Sequence, residues 1–316
     1  MMTSKKIARV LSAMSLLSLA SLVYADESTV WPSWSEFVQV RESGKSIWQL
    51  EIENDSLLMN RDDRFYTAGN HLQQGFVRQT ATQSTEYGWR VGQDLYTSSD
   101  IKLQPSQLAP NDHPYAAWLY AGVFGQKTQM TGRSWRWSVD VGCLGPCAGG
   151  EWTQNHLHRI LQQPQPQAWS TQLRNEWGMV LGGEMSPGRL LPFEGVDMSP
   201  RFKARFGNIF TDASAQLELR AGHLNSLPYQ PANYAFARAE AKVVGYNATI
   251  QGGYFNNEPG KLTPKRYGGE IELGYLWQAE KYAVSASLLR RANEIKQISD
   301  ATGAQNFVRL QFSYAM

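Results

Sequence analysis

Apolar and charged side chains alternate every second residue from one end of this chain to the other. Beyond Ala25 there is nonetheless no run of eighteen apolar residues. Trp48, Leu50 and Ile52 alternate with Gln49, Glu51 and Glu53, and Trp135, Trp137, Val139 and Val141 with Arg136, Ser138 and Asp140. The same rhythm sets Phe202, Ala204 and Phe206 against Lys203 and Arg205, Leu217 and Leu219 against Glu218 and Arg220, and Ile271, Leu273 and Tyr275 against Glu270 and Glu272. A period of two is that of a strand with unlike faces. Without a long apolar run, the chain has no helix able to cross a membrane, so a membrane protein of this sequence must cross with strands closed into a barrel. A soluble sandwich would bury the apolar faces in a shared core, whereas a membrane barrel turns them to lipid. Acidic and basic residues occur together on the polar faces. That mixture suits charges paired across a narrow lumen better than the open channel of a porin.

The two ends agree with an exported barrel. Lys5, Lys6 and Arg9 precede an apolar run from Val10 to Val23, with Ala25 before Asp26 and Glu27, the pattern of a cleaved signal peptide. Residues 1–25 are read as that peptide and 26–316 as one all-β domain, a transmembrane antiparallel β-barrel. At the other end Val308, Leu310, Phe312, Tyr314 and Met316 alternate with Arg309, Gln311, Ser313 and Ala315, as a closing strand would, although such strands usually finish on an aromatic residue. The 11 Trp, 14 Tyr and 12 Phe would supply interfacial girdles, and the 27 Gly turns and barrel bends. A formal net charge of only +2 argues against nucleic acid as a partner. Cys143 and Cys147 would meet an oxidising compartment, and a spacer containing Gly and Pro can bring them close, so a small disulfide loop is one outcome and two free thiols the other. Without a second pair of cysteines, a metal role for them is disfavoured.

One segment breaks the rhythm. From Glu151 to Gln163, Trp152, Leu157, Ile160 and Leu161 recur at helical spacing, with Gly149 and Gly150 before and Pro164 after. This predicts a short amphipathic helix in a loop, with Gln154 and His158 on one face beside the apolar side. Three clusters exceed what a structural barrel requires. They are Glu53-Asn54-Asp55 with Asp62-Asp63-Arg64 and Tyr66-Thr67-Ala68-Gly69; Asn111-Asp112-His113-Pro114-Tyr115-Ala116-Ala117; and Gln154-Asn155-His156-Leu157-His158 with Trp169 and Gln172 to Glu176. They offer oxygen ligands for a hard cation, a hydroxyl, and imidazoles able to act as bases near neutral pH. A Gly-x-Ser-x-Gly nucleophile elbow is missing. Each cluster also has a plain structural explanation, since Asn-Asp pairs form turns and loop histidines are commonly solvated.

The ordered set Glu53-Asn54-Asp55, Asp63-Arg64-x-Tyr66-Thr67-x-Gly69, Gly92-Gln93-x-x-Tyr96-Thr97, Pro114-Tyr115-Ala116, Leu144-Gly145-x-x-Ala148, Gln154-x-x-x-His158 and Trp169-x-x-Gln172-Leu173-x-Asn175-Glu176 resembles the outer-membrane lipid A 3′-O-deacylase family. The match spans roughly residues 46 to 180. The resemblance implies twelve strands and an active site at the extracellular side, between the outer barrel wall and a loop helix. It also implies a calcium-dependent esterase that removes the 3′-acyloxyacyl chain of lipid A. In that scheme His158 is the general base, Asn54 and Asp55 hold calcium, Thr67 is a supporting hydroxyl, and His113, Tyr115, Gln154 and Glu176 contact substrate. The expected partners are lipid A or lipopolysaccharide and the surrounding membrane lipid, met by a monomer. Residues 156 and 158 differ by about 200° around a helix, so only one of the two histidines can face the site, and spacing favours His158.

Two departures matter. The family carries arginine where this chain has His113, and glycine where it has Ala117. They sustain a rival reading, a catalytically silent barrel that binds lipid or a partner protein; an outer-membrane phospholipase or other esterase, sharing the calcium and histidine chemistry, is a further alternative. Residues Trp31 to Ser46 form an extension ahead of the first strand.

Overall fold

Twelve strands close on themselves in chain order, with β1 paired to β2 on one side and to β12 on the other. The computed structural model describes residues 33–58, 65–190, 193–256 and 262–316; the expected signal peptide lies outside them. The strands are β1 Lys45–Asn54, β2 Phe65–Gln79, β3 Gln83–Thr97, β4 Ala116–Gln129, β5 Ser134–Leu144, β6 Glu176–Ser186, β7 Val196–Gly207, β8 Phe210–His223, β9 Ala232–Asn247, β10 Tyr267–Gln278, β11 Tyr282–Arg291 and β12 Gln305–Ala315. Helix α1, Trp34–Ser43, precedes β1; α2, Gly150–Ile160, lies between β5 and β6; the single turns α3, Ala248–Gln251, and α4, Asp300–Gly303, sit in later loops. Every strand pair is antiparallel. The C-terminal strand closes the barrel as its alternation requires, with Trp48 opposite Tyr314, Leu50 opposite Phe312 and Ile52 opposite Leu310.

The pleat sorts the side chains. Leu50, Leu72, Val91, Val123, Val141 and Leu181 face outward and are exposed, as lipid-facing positions are. The alternate positions fill the lumen with paired charges. Arg309 reaches Glu53 and, at 2.9 Å, Glu272; Arg238 bridges Glu218 and Glu272; Arg90 holds Asp140 at 2.8 Å and Arg220 holds Asp197 at 2.8 Å. Cavities of about 290 and 340 Å3 remain between these pairs. At the end of the barrel where the turns 80–82 and 279–281 are short, the segment after β8 folds into the mouth. There the Tyr229 hydroxyl donates to Glu86 at 2.9 Å and accepts from Gln49 at 3.0 Å, with Tyr229 itself in the left-handed region at φ 64°. At the opposite end, long connections at 98–115, 145–175 and 292–304 form the loops that carry α2.

The loop helix departs from its sequence expectation at its C-terminal end. It stops at Ile160, short of Gln163, because Gln162 takes a left-handed conformation (φ 54°) ahead of Pro164. Its apolar side chains point away from the wall: Trp152 and Ile160 are 66% and 76% exposed, whereas Gly150, Gln154 and His158 are buried.

Candidate active site

Strand register builds the outer wall on which α2 rests. Asn54 pairs with Ala68, Ala68 with Leu95 and Leu95 with Ala117, forming a row of outward positions across β1 to β4 at the long-loop end. Ala68, Leu95 and Ala117 pack with Tyr115, Ala148, Ala168 and Trp169 as one buried apolar cluster. A Cβ on Gly150 would lie 2.5 Å from the Ala117 Cβ and 2.7 Å from the Trp169 ring, so the first residue of α2 must be glycine for the helix to come this close. This accounts for Ala117: its methyl occupies space that Gly150 leaves open.

The chain entering α2 is fixed at several points. Cys143 and Cys147 form a disulfide with Cα atoms 6.0 Å apart, which decides the pairing left open by the sequence. Gly145, at φ 94°, donates its N–H to the Ala117 carbonyl at 2.9 Å. The Cys147 N–H bonds the Asn175 side chain at 2.8 Å, and the Gln93 amide donates to the Ala148 carbonyl at 2.7 Å.

On the buried face of α2, Nδ1 of His158 lies 2.6 Å from the carbonyl oxygen of Pro164. A carbonyl can only accept, so Nδ1 carries the proton and Nε2 is the basic atom of the neutral ring. One turn earlier, Oε1 of Gln154 accepts from the Trp169 indole N–H at 2.8 Å. Among the described residues, its Nε2 has no hydrogen-bond partner although it is buried. A buried amide donor left in that state is costly unless a ligand or water meets it. His156 is turned elsewhere, its Nδ1 bonded to the Trp152 carbonyl and its ring 4.4 Å from that of Trp152.

Asn54, Asp55 and Thr67 meet at the rim between β1 and β2. Asp55 is buried; its N–H points to the Thr67 carbonyl at 3.5 Å, and the Thr67 hydroxyl donates to its carboxylate at 3.4 Å. Thr67 is the extra residue of a bulge between Tyr66 and Ala68, which re-aims its side chain. Asn54 Oδ1 accepts from the N–H and hydroxyl of Ser56, capping the short turn Ser56–Leu58. These groups are oxygens, the kind a calcium ion takes, and one is a buried carboxylate. They fit such an ion in chemistry but are few. Among the described residues no group of three His, Cys, Asp or Glu forms a metal cluster. Among the described residues, further ligands would be water, backbone or substrate oxygens; Asp62, Asp63 and Arg64 of the same sequence cluster lie outside the described residues.

The other expected contacts lie elsewhere. Tyr115 is wholly buried, edge-on to Trp169 at 5.2 Å, so it supports the wall beneath α2. His113 is buried against Tyr96, with nearly parallel rings 5.5 Å apart, and its Nδ1 donates to the Pro114 carbonyl at 2.7 Å. Burial pushes its pKa below the usual histidine range. It borders a separate cavity of about 550 Å3 among the loops. Glu176 accepts from Asn208, Tyr254 N–H and Phe255 N–H at 2.8–3.0 Å, and so fastens the loop after α3.

Asn70 and Gln93 were not singled out from sequence as site residues. They pair with each other on the outward face, one step below the row Asn54–Ala68–Leu95–Ala117. Polar residues in the lipid-facing phase are the signal that could have found them.

A family model described as outer membrane protein LpxR matches residues 11–316. Among solved structures, LpxR from Salmonella typhimurium superposes with a TM-score of 0.68 at 21% identity, covering 85% of this chain and 99% of that one. An outer membrane channel from Pseudomonas putida gives 0.49 at 11% identity, covering 93% of this chain and 100% of that one. No curated protein matches the sequence. With nearly the whole chain matched by the family model and its strands closed in an LpxR-like barrel, this protein belongs to the outer membrane protein LpxR family.

Proposed function

We propose that this protein hydrolyses the ester-linked 3′-acyloxyacyl chain of lipid A in the outer leaflet, using water activated by His158. The observation that carries the proposal is the tautomer of His158, whose Nδ1 proton is committed to the Pro164 carbonyl while the ring is held on the wall-facing side of α2. Nε2 then takes a proton from water as the water attacks the ester carbonyl, and returns it to the departing alkoxide. The unpartnered amide N–H of Gln154 supplies a hydrogen bond to the bound ester. Thr67 holds the Asp55 carboxylate in place. Asp55 and Asn54 would hold a calcium ion, which when bound would supply positive charge to offset the negative charge of the ester oxygen. The exposed apolar side of α2 faces the acyl chains and headgroups, so the ester reaches the site from the membrane without extraction of the lipid.

Mass spectrometry of lipid A from cells expressing the protein tests this. The wild type removes the 3′ chain, and His158→Ala lowers turnover by about 10²–10⁴-fold with the barrel still folded. Unchanged lipid A with the wild type, calcium being present, ends the reading. A second reading, a barrel that binds lipid without turning it over, is favoured by the engagement of Asn54 Oδ1 with Ser56. It predicts that His158→Ala alters no measurable property.

A further inference from the structure

We propose that α1 is an interfacial anchor that binds anionic phospholipid headgroups of the inner leaflet, on the same side of the barrel as the candidate active site. This inference is independent of the hydrolytic reading. Helix α1 starts at a Ser33 cap, whose hydroxyl accepts the Glu36 N–H, and ends at Gly44. It lies on the outside of the barrel. Phe76, Tyr87 and Lys127, which it touches, each stand four residues from a lipid-facing side chain on the same strand, namely Leu72, Val91 and Val123. The side-chain phase is therefore the same, and the contact sits about 13 Å nearer the short-turn, periplasmic end.

Polar and aromatic contacts fix the helix there. The Tyr87 hydroxyl donates to Glu36 at 2.9 Å, and Lys127 pairs with Glu36 at 2.8 Å. Phe37 meets Tyr87 edge-on at 5.7 Å, Arg41 lies over the Phe76 ring at 5.1 Å, and Arg78 donates to Gln39 at 3.3 Å. Val40 is buried beneath. On the next outward position of β3, Trp89 meets Trp48 edge-on at 5.6 Å, as girdle residues do. The helix thus lies just past that tryptophan pair, at headgroup depth.

What it presents outward matches a lipid surface. Trp34 is 79% exposed and stacked on Phe37. Arg41 and Arg78 are exposed, while Glu36 is consumed by Lys127 and Tyr87, so Glu42 is the exposed acid of the helix. Cations beside an exposed tryptophan, continuous with a lipid-facing wall, fit phosphate-bearing headgroups around an acyl boundary. β2 to β4 also carry Ala68, Leu95 and Ala117 at their far ends, so the anchor would fix the height of the wall beneath α2.

Native mass spectrometry of the purified mature protein, given equal phosphatidylglycerol and phosphatidylcholine, tests the inference. The wild type retains phosphatidylglycerol over phosphatidylcholine by roughly tenfold, and R41Q/R78Q brings the ratio to near parity while the barrel keeps its heat-modifiable mobility. Equal retention by the wild type, or an unchanged preference in the double variant, overturns it. A second measurement covers a variant that fails to fold. In nanodiscs, the fluorescence lost on Trp34→Phe should be quenched more by lipids brominated near the headgroup than by lipids brominated near the chain end. Trp34 emission untouched by either lipid puts α1 in water and overturns the inference.

Discussion

Two histidines in this protein make the same local bond and differ in what that bond is for. His158 and His113 each give their Nδ1 proton to a proline carbonyl, at 2.6 and 2.7 Å. His158 stands on the wall-facing side of a loop helix, where a basic Nε2 is useful. His113 is packed on Tyr96, and burial holds its pKa down, so it stays neutral where an arginine would be charged. A contribution to substrate phosphate binding by charge is therefore not expected from it. The depressed pKa has a stability consequence of defined sign. Below the unfolded value of about 6.5 the unfolded chain binds a proton that the folded one refuses, so loop stability falls as pH drops through that value. Hydrogen exchange of the 98–115 loop should lose protection between about pH 7 and pH 5 in the wild type, and His113→Gln should flatten that dependence. An identical profile in both proteins would remove His113 as its cause.

At the scale of elements, α2 is held by a close contact at its first residue. Gly150→Ala puts a methyl 2.5 Å from the Ala117 methyl, which pushes the helix outward. Activity should fall by about tenfold or more, because a displacement near 1 Å is enough to misalign a catalytic group. Adding Ala117→Gly should restore part of it; a double variant no better than Gly150→Ala would show that the contact does not set the helix position. The helix itself was legible from its spacing and its flanking Gly and Pro. Its orientation was not. The apolar spacing of Trp152, Leu157, Ile160 and Leu161 marks an amphipathic helix without saying which face meets the barrel; next to a membrane the apolar face turns outward, and Gln154 and His158 are buried. Tyr115 and Glu176 carry the same lesson. The family resemblance implied substrate contact for both; in the fold Tyr115 packs against Trp169 beneath α2 and Glu176 fastens a loop. Such roles depend on residues distant in sequence, Trp169 for one and Tyr254 and Phe255 for the other, which no local pattern reveals.

For the whole molecule, period-two alternation fixes both the barrel and its contents, since one phase meets lipid and the other must satisfy its charges internally. The closing strand was readable from its alternation, whereas its register, with Leu50 opposite Phe312, came only with the fold. Which charges pair across the lumen was not readable either, because Glu53 and Arg309 meet only when the barrel closes. Arg309→Ala removes the cation paired with Glu53 and one of the two held by Glu272, which keeps Arg238, and should destabilise the barrel by about 3 kcal/mol, measured as a lower urea midpoint in detergent. A midpoint equal to the wild type would mean that water already screens these groups. The account as a whole depends on one spatial relation, between the oxygens of Asn54 and Asp55 and the ring of His158. Crystals grown with terbium in place of calcium, located by anomalous scattering, measure it directly. The account predicts an ion on the Asp55 carboxylate with Nε2 of His158 roughly 5 Å away and one water between them. An ion bound elsewhere, or a ring of His158 turned from Asp55 with no space for that water, would contradict it.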